Sequence, residues 1–317
     1  SDILKPDIAA PGTDVLAATA NAQGGTPTFN LLSGTSMASP HIAGLAALYL
    51  GERPNATPAE IKSALMTTAY TAVNSAGAEI SDAFAQGAGQ VDPRKYFEPG
   101  LLYLNGVADW PAYLPGLGWE AGVEPIDASD LNLASIAIGS LSAPQTVTRT
   151  VTSTQKGNYT ANVVLPGFDV TVSPSTLSFG AAGETATFKV TFTRTTAPVE
   201  EWASGFLTWS GTKDVRSPLA IRPVTADAAL EVFGAGLTGS TDVSVTPGVD
   251  GPMPLTLGGL AAGVVLADAK NPGSGHSGTE ASGNQRWVVQ MGTGVSLARF
   301  DLDSSDDEGS DLDLTVY

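Results

Sequence analysis

The chain has 317 residues, with 15 Lys and Arg against 32 Asp and Glu, a formal charge of −17, and 42% hydrophobic residues. That length and apolar content support packed domains, and the negative charge argues against phosphate backbones and anionic lipid surfaces as partners. Zero cysteines exclude disulfides and thiolate metal sites, and no run of about 18 apolar residues offers a membrane span.

In chain order, the first strong signal is SMASPHIAGLAALYL, residues 36 to 50, which leaves almost no polar face. This pattern predicts a helix buried on all sides within an α/β core. A second helix is signalled by Thr57 as cap, Pro58 at the first helical position and Glu60 three residues after the cap. Ile61, Leu65 and Ala69 share one stripe, so this helix is expected on the surface.

After VDPRKYFEPGLLYL and a Trp-, Pro- and Gly-rich connection through residue 127, the period changes to two. TATFKVTF, residues 185 to 192, alternates Phe188, Val190 and Phe192 with Thr187, Lys189 and Thr191, and similar runs lie at 146–151, 159–165 and 168–172. With GFLTWSG and RSPLAIRP they predict a β-sandwich that finishes near residue 224. Beyond it, LEVFG, TDVSV, MPLTL, QRWVVQM and SLARFDL predict a third, β-rich domain. SDLDLTVY follows with no closing strand, so this last domain is expected to be cut short. The sequence therefore divides into 1–103, a connector 104–127, a sandwich 128–224 and a β-rich part 225–317.

Ser36 stands at the open end of the first helix. A serine hydroxyl needs a base, a group that orients the base, and donors for the oxyanion that its attack creates. At a helix N-terminus its own backbone N–H is free and the helix dipole favours negative charge. Gly34 lets the backbone and a substrate approach, and Pro40 lacks a donor expected to be unused so early in the helix. The plain reading of such a serine is an N-cap.

The local sequence favours the nucleophile. SGTSMASPHIAG resembles the nucleophile motif of the subtilisin-like serine proteases, KPDIAAPGTDVLAA resembles the segment before it, and IKSALMTTA the helix after it. AFAQGAGQVDPRKYFEPGLLYL resembles the end of the catalytic domain in the plant-type, cucumisin-like branch. DLNLASIAIGSLSAPQTVTRTVTST and the strands that follow resemble that branch's fibronectin type III-like domain. The tail, ending SDLDLTVY, resembles pre-peptidase C-terminal or similar jelly-roll domains of secreted bacterial proteases.

The resemblance implies an α/β C-terminal part of a subtilisin-like catalytic domain, then all-β domains: a fibronectin III-like sandwich and a jelly-roll-like domain. It implies a secreted endopeptidase that hydrolyses peptide bonds by acyl transfer, with Ser36 as nucleophile and its backbone N–H as one oxyanion donor. Gly34, Thr35, Met37 and Pro40 match structural positions of the motif, and FNLLSG, around Leu32 and Ser33, lies beside the bound peptide. The family's catalytic Asp and His, and the Asn that gives the second oxyanion donor, belong to segments far upstream, none of which is present. This chain alone is then expected to be inactive unless an upstream chain of the same protease stays bound. The partners implied are a protein or peptide substrate and that N-terminal companion, with no organic cofactor. The other reading is a non-catalytic scaffold or binding fragment.

Several residues invite overreading. His41, five residues past Ser36, is turned away by helical geometry and matches a packing residue of the motif; His276 sits in the loop NPGSGHSGT; Asp7 and Asp14 match structural positions. An α/β-hydrolase needs G-x-S-x-G, and the segments Gly34–Ala38 and Gly275–Thr279 both lack the last glycine. Asp301, Asp303, Asp306, Asp307, Glu308, Asp311 and Asp313 are either oxygen ligands for Ca²⁺ or a solvated acidic turn, and their spacing fits no EF-hand loop. Asn55-Ala56-Thr57 and Asn158-Tyr159-Thr160 fit the N-glycosylation pattern, which arises readily by chance.

Overall fold

The computed structural model describes residues 2–20, 24–26, 28–117, 122–229, 232 and 240–253. Residues 1–251 make one compact unit and 252–317 another, and only 252 and 253 of the second are described. The strands expected beyond residue 253, His276 and the acidic run therefore lie outside the described residues.

The chain opens with a ribbon of β1 (Val15–Thr19) and β2 (Thr28–Leu32), followed by helices α1 (Thr35–Glu52), α2 (Pro58–Thr67) and the single turn α3 (Ala83–Gln86). Strand β3 (Leu101–Tyr103) and the short helix α4 (Asp109–Tyr113) come next. Then follow β4 (Ile136–Leu141), β5 (Gln145–Ser153), β6 (Gly157–Val164), β7 (Phe168–Ser173), β8 (Thr176–Phe179), β9 (Thr185–Arg194), β10 (Ala203–Gly211) and β11 (Val215–Pro223). A small ribbon of β12 (Ala226–Ala228) and β13 (Val245–Pro247) closes the described part.

Two sheets form a sandwich, ordered β4-β11-β10-β6-β8 and β3-β5-β9-β7. The α/β portion followed by a β-sandwich is the fold class expected from the sequence, and the period-two runs fall in β5, β6, β7 and β9, the run 159–165 passing the end of β6 by one residue. The reason is visible in β5, where Val147, Arg149 and Val151 are buried and the threonines between them face outward. Across the β5–β9 ladder, Thr146 meets Thr191 and Thr150 meets Thr187, hydroxyl to hydroxyl, at 2.8 and 2.9 Å. Strand β3, the last three residues of segment 1–103, hydrogen-bonds to β5 as an edge of the sandwich.

The helices reverse the burial expected of them. In α1 only Tyr49 is buried, although the helix is almost wholly apolar. One flank, with Ile42, Leu45 and Ala46, packs beside Tyr49, Ile61, Leu65 and Tyr96, while Ala43, Ala47, Leu48 and Leu50 are exposed. Helix α2, expected at the surface, buries Ala59, Ile61, Ser63, Ala64, Leu65, Met66 and Thr67. It is covered on two sides, because Leu65 joins the α1 cluster while Met66 and nearby Ala69 join the sandwich core. Its polar residues tolerate burial by hydrogen bonding: Ser63 Oγ accepts from Tyr103 N at 2.8 Å, and Thr67 Oγ1 donates to Ser63 O at 2.8 Å. The predicted cap holds, with Thr57 Oγ1 accepting from Glu60 N at 3.2 Å.

Sandwich and α/β portion are joined by specific contacts. Arg216 on β11 donates to Ala69 O at 2.9 Å and Thr71 Oγ1 at 2.7 Å, just past α2, with its guanidinium 4.0 Å from the centre of the Phe206 ring. Ser204 Oγ accepts from Ala83 N at 3.0 Å, and Phe84 meets Trp202 edge-on at 4.8 Å. At the N-terminus, Asp2 Oδ1 accepts from Gly139 N at 2.7 Å, and Leu4 is buried with Ala83, Ala137 and Ala220.

The buried carboxylate of Asp92 organises the loop that follows Val91. It accepts from Arg94 N at 3.1 Å and from the Arg94 side chain at 2.9 and 3.0 Å. The Arg94 hydrogen bonds hold its carboxyl below the usual carboxylate range, against burial, which pushes it up. A depressed folded value stabilises the folded chain above the unfolded pKa, and that stabilisation disappears as the pH falls through the folded value. Asp92→Asn is accordingly expected to cost about 1–2 kcal/mol at neutral pH and to flatten the acid limb of a stability-against-pH curve. An unchanged acid limb would show that the carboxylate contributes nothing there.

Candidate active site

Ser36 occupies the second position of α1 and is exposed. The N-cap is Gly34, which caps without a side chain, so Ser36 is not the capping residue and its hydroxyl is left for other work. Gly34 O accepts the backbone N–H groups of Met37 at 3.0 Å and Ala38 at 3.3 Å. The backbone N–H of Ser36 lies in the first turn, where an α-helix supplies no acceptor. Pro40 sits in the second turn, later than expected, and so provides no N–H for the Ser36 carbonyl four residues before it.

The loop before the helix is held by a clamp that sequence reading missed. Gly34 N donates to Gly12 O at 2.7 Å, Asp14 N donates to Ser33 Oγ at 2.9 Å, and the Ser33 hydroxyl lies 3.4 Å from Asp14 Oδ1. A Cβ on Gly12 would stand 2.8 Å from Gly34 O, so only glycine permits this approach. Asp14 takes a left-handed φ of 50°, a conformation its side chain tolerates better than most. The one available signal was the glycine in APGTD, which by itself did not name its partner.

His41 is exposed, and its Nδ1 lies 2.9 Å from Met37 O one turn back, so its ring is tied to the helix rather than to Ser36. Asp7 is paired with Lys5 at 2.6 Å and Lys62 at 2.8 Å. Among the described residues no side chain is hydrogen-bonded to Ser36 Oγ, and no group of three or more His, Asp or Glu is placed to hold a metal. A groove of about 660 Å³ runs along α1 between Pro40, His41, Leu48, Tyr70 and Pro93, and Ser36 does not line it.

Uncovered apolar surface surrounds this end of the unit. In the β1–β2 ribbon, Leu16 opposes Leu31 and Ala18 opposes Phe29, so one face is wholly apolar. Leu16 is 70% exposed, Phe29 65% and Leu31 58%, and on α1 Leu48 is 62% exposed.

Residues 1–89 match the model of the subtilase family, and residues 130–221 that of a fibronectin type-III domain. Over residues 1–89 the chain is therefore similar to the subtilase family. Its relatives include subtilisin-like protease SBT3.6 of Arabidopsis thaliana, 38% identical over 245 residues, which cover 69% of this chain and 32% of that protein. Subtilisin-like protease SBT4.13 of the same plant is 38% identical over 253 residues, covering 69% of this chain and 34% of its own length. Subtilisin-like protease Glyma18g48580 of Glycine max is 34% identical over 254 residues, with 69% and 32% covered. The chain thus spans about a third of the length of these relatives. Among its described residues no helix is long and apolar enough to cross a membrane.

Proposed function

We propose that this chain is the C-terminal portion of a secreted subtilisin-like serine endopeptidase that cleaves peptide bonds by acyl transfer through Ser36. The observation that carries this reading is an exposed serine in the first turn of α1, inside the segment that matches the subtilase family, and not used as a cap. In the proposed reaction Ser36 Oγ attacks the scissile carbonyl, and the Ser36 backbone N–H donates to the oxyanion. The amine leaves as the acyl group passes to serine, and water then releases it. The base is a histidine, oriented by an aspartate, from an upstream part of the same protease, since His41 is tied to its own helix. The uncovered apolar faces of α1 and the β1–β2 ribbon are where that part would pack. The sandwich supports the α/β portion through Arg216, Ser204 and Leu4. No organic cofactor enters the reaction.

Without the companion the chain acts as a scaffold only, a reading favoured by the absence, among the described residues, of a hydrogen-bond partner at Ser36 Oγ. Intact mass spectrometry after a fluorophosphonate probe tests both. A sample containing the upstream companion should carry one adduct, mapped to Ser36, and the chain by itself none. An adduct on another residue, or none in the two-chain sample, would overturn the assignment of Ser36.

A further inference from the structure

Asn105 is the one asparagine in the sequence that precedes a glycine. It lies between β3 and α4, in a stretch without regular structure, and is half-buried, while Gly106 is exposed. Glycine has no side chain to shield its own nitrogen from a neighbouring group. That nitrogen donates to Asp109 Oδ2 at 2.6 Å, a heavy-atom distance within reach of a general base. Asn105 Nδ2 is held by a single long hydrogen bond, to Asn132 O at 3.2 Å.

We propose that Asn105 is a self-modification site, deamidated by attack of the Gly106 nitrogen with Asp109 as the base. The Gly106 N–H proton passes to the Asp109 carboxylate as the nitrogen bonds to Asn105 Cγ. The Cγ–Nδ2 bond breaks, and the side-chain nitrogen leaves as ammonia with the proton that Asp109 returns. Water then opens the five-membered imide at one carbonyl to give aspartate or at the other to give isoaspartate. No electrons are transferred, and water is the only co-reactant.

The change falls on the joint between the α/β portion and the sandwich. Asn132 O loses its donor and meets a carboxylate instead. The Asn132 side chain itself donates to Leu104 O at 2.7 Å and Thr150 O at 2.9 Å and accepts from Thr150 N at 3.0 Å. Isoaspartate also lengthens the main chain by one carbon between β3 and α4.

The test is to age the folded chain near neutral pH and follow it by peptide mass spectrometry. The peptide containing residue 105 should gain the mass of an amide-to-acid exchange and split into aspartate and isoaspartate forms, ahead of peptides that carry the other asparagines. Asp109→Asn should slow this by roughly 10²-fold, yet leave the rate unchanged when both chains are held unfolded in urea. Gly106→Ala should slow it too without loss of fold, because a Cβ there would come no closer than 3.9 Å to Asp109 Oδ2. A folded chain that keeps its amide at 105 while the unfolded chain loses it overturns the proposal. Equal folded-state rates for the parent and Asp109→Asn remove Asp109 as the base.

Discussion

Trp209→Ala is expected to cost about 3–5 kcal/mol and to loosen helix α2 in the same transition as the sandwich. Trp209 is fully buried on β10 and meets Phe188 of β9 edge-on, with ring centres 4.9 Å apart, so its loss opens a cavity between the two sheets. The same hydrophobic cluster contains Met66 and Ala69, at the end of α2, and Ala88 beyond α3. A core shared in this way couples the two portions, and Arg216 adds two hydrogen bonds from β11 to the chain just past α2. Hydrogen exchange should therefore show the amides of α2 and of β9 losing protection together in the variant. If α2 kept its protection while β9 lost it, the α/β portion and the sandwich would be separate folding units.

Arg149→Ala is expected to be about as damaging, at roughly 4 kcal/mol or more. Arg149 lies on β5 among the inward-facing positions, 3% exposed, and among the described residues it forms no ion pair, although the Asp130 carboxylate, bound to the neighbouring Thr148 N, acts on its charge. Its guanidinium donates to three carbonyls, those of Leu133 at 3.0 Å, Ser135 at 3.0 Å and Thr148 at 2.9 Å. Truncation leaves those acceptors without a donor and a void behind them. The charge itself is held at a cost, since burial brings the guanidinium down to about 10. Arg149→Met, which fills the space without a buried charge, should therefore recover part of what Arg149→Ala loses. Urea midpoints of the three proteins decide this. An alanine variant within about 1 kcal/mol of the parent would mean that water takes over the carbonyls.

Some of this was open to a reader of the sequence and some was not. The alternation in TATFKVTF and QTVTRTVTS set out β9 and β5 because a half-buried strand must alternate, and Thr57-Pro58 announced the start of α2 through its capping chemistry. Ser36 was placed at a helix mouth by its motif, and the structure puts it in the first turn with Gly34 as cap. The burial of the helices was not legible. Apolar residues all round α1 record a demand for cover, without saying whether the cover belongs to this chain. The single stripe of Ile61, Leu65 and Ala69 made α2 look like a surface helix, while the hydroxyls of Ser63, Thr67 and Thr68 are satisfied locally or by Tyr103 N and so can be buried. Strand β3 is too short to show a period, and Arg149, a charge in a core-facing register, contradicts the pattern that located its own strand.

The order of strands has a bearing on how the protein is made. Among the described residues strand β4 pairs with β11 alone, in parallel, with Ile136 opposite Leu219 and Ile138 opposite Ile221. A nascent chain emerging from the ribosome would present 136–141 long before 219–221 exists to meet it. Over that interval β4 lacks its β11 partner, although the Asp2 carboxylate can already accept from Gly139 N. The sandwich can close only when its last large strand arrives. Early release or a stop codon before β11 would leave an apolar strand edge open to other chains, so translation speed and chaperone supply over this stretch should govern the yield of folded protein.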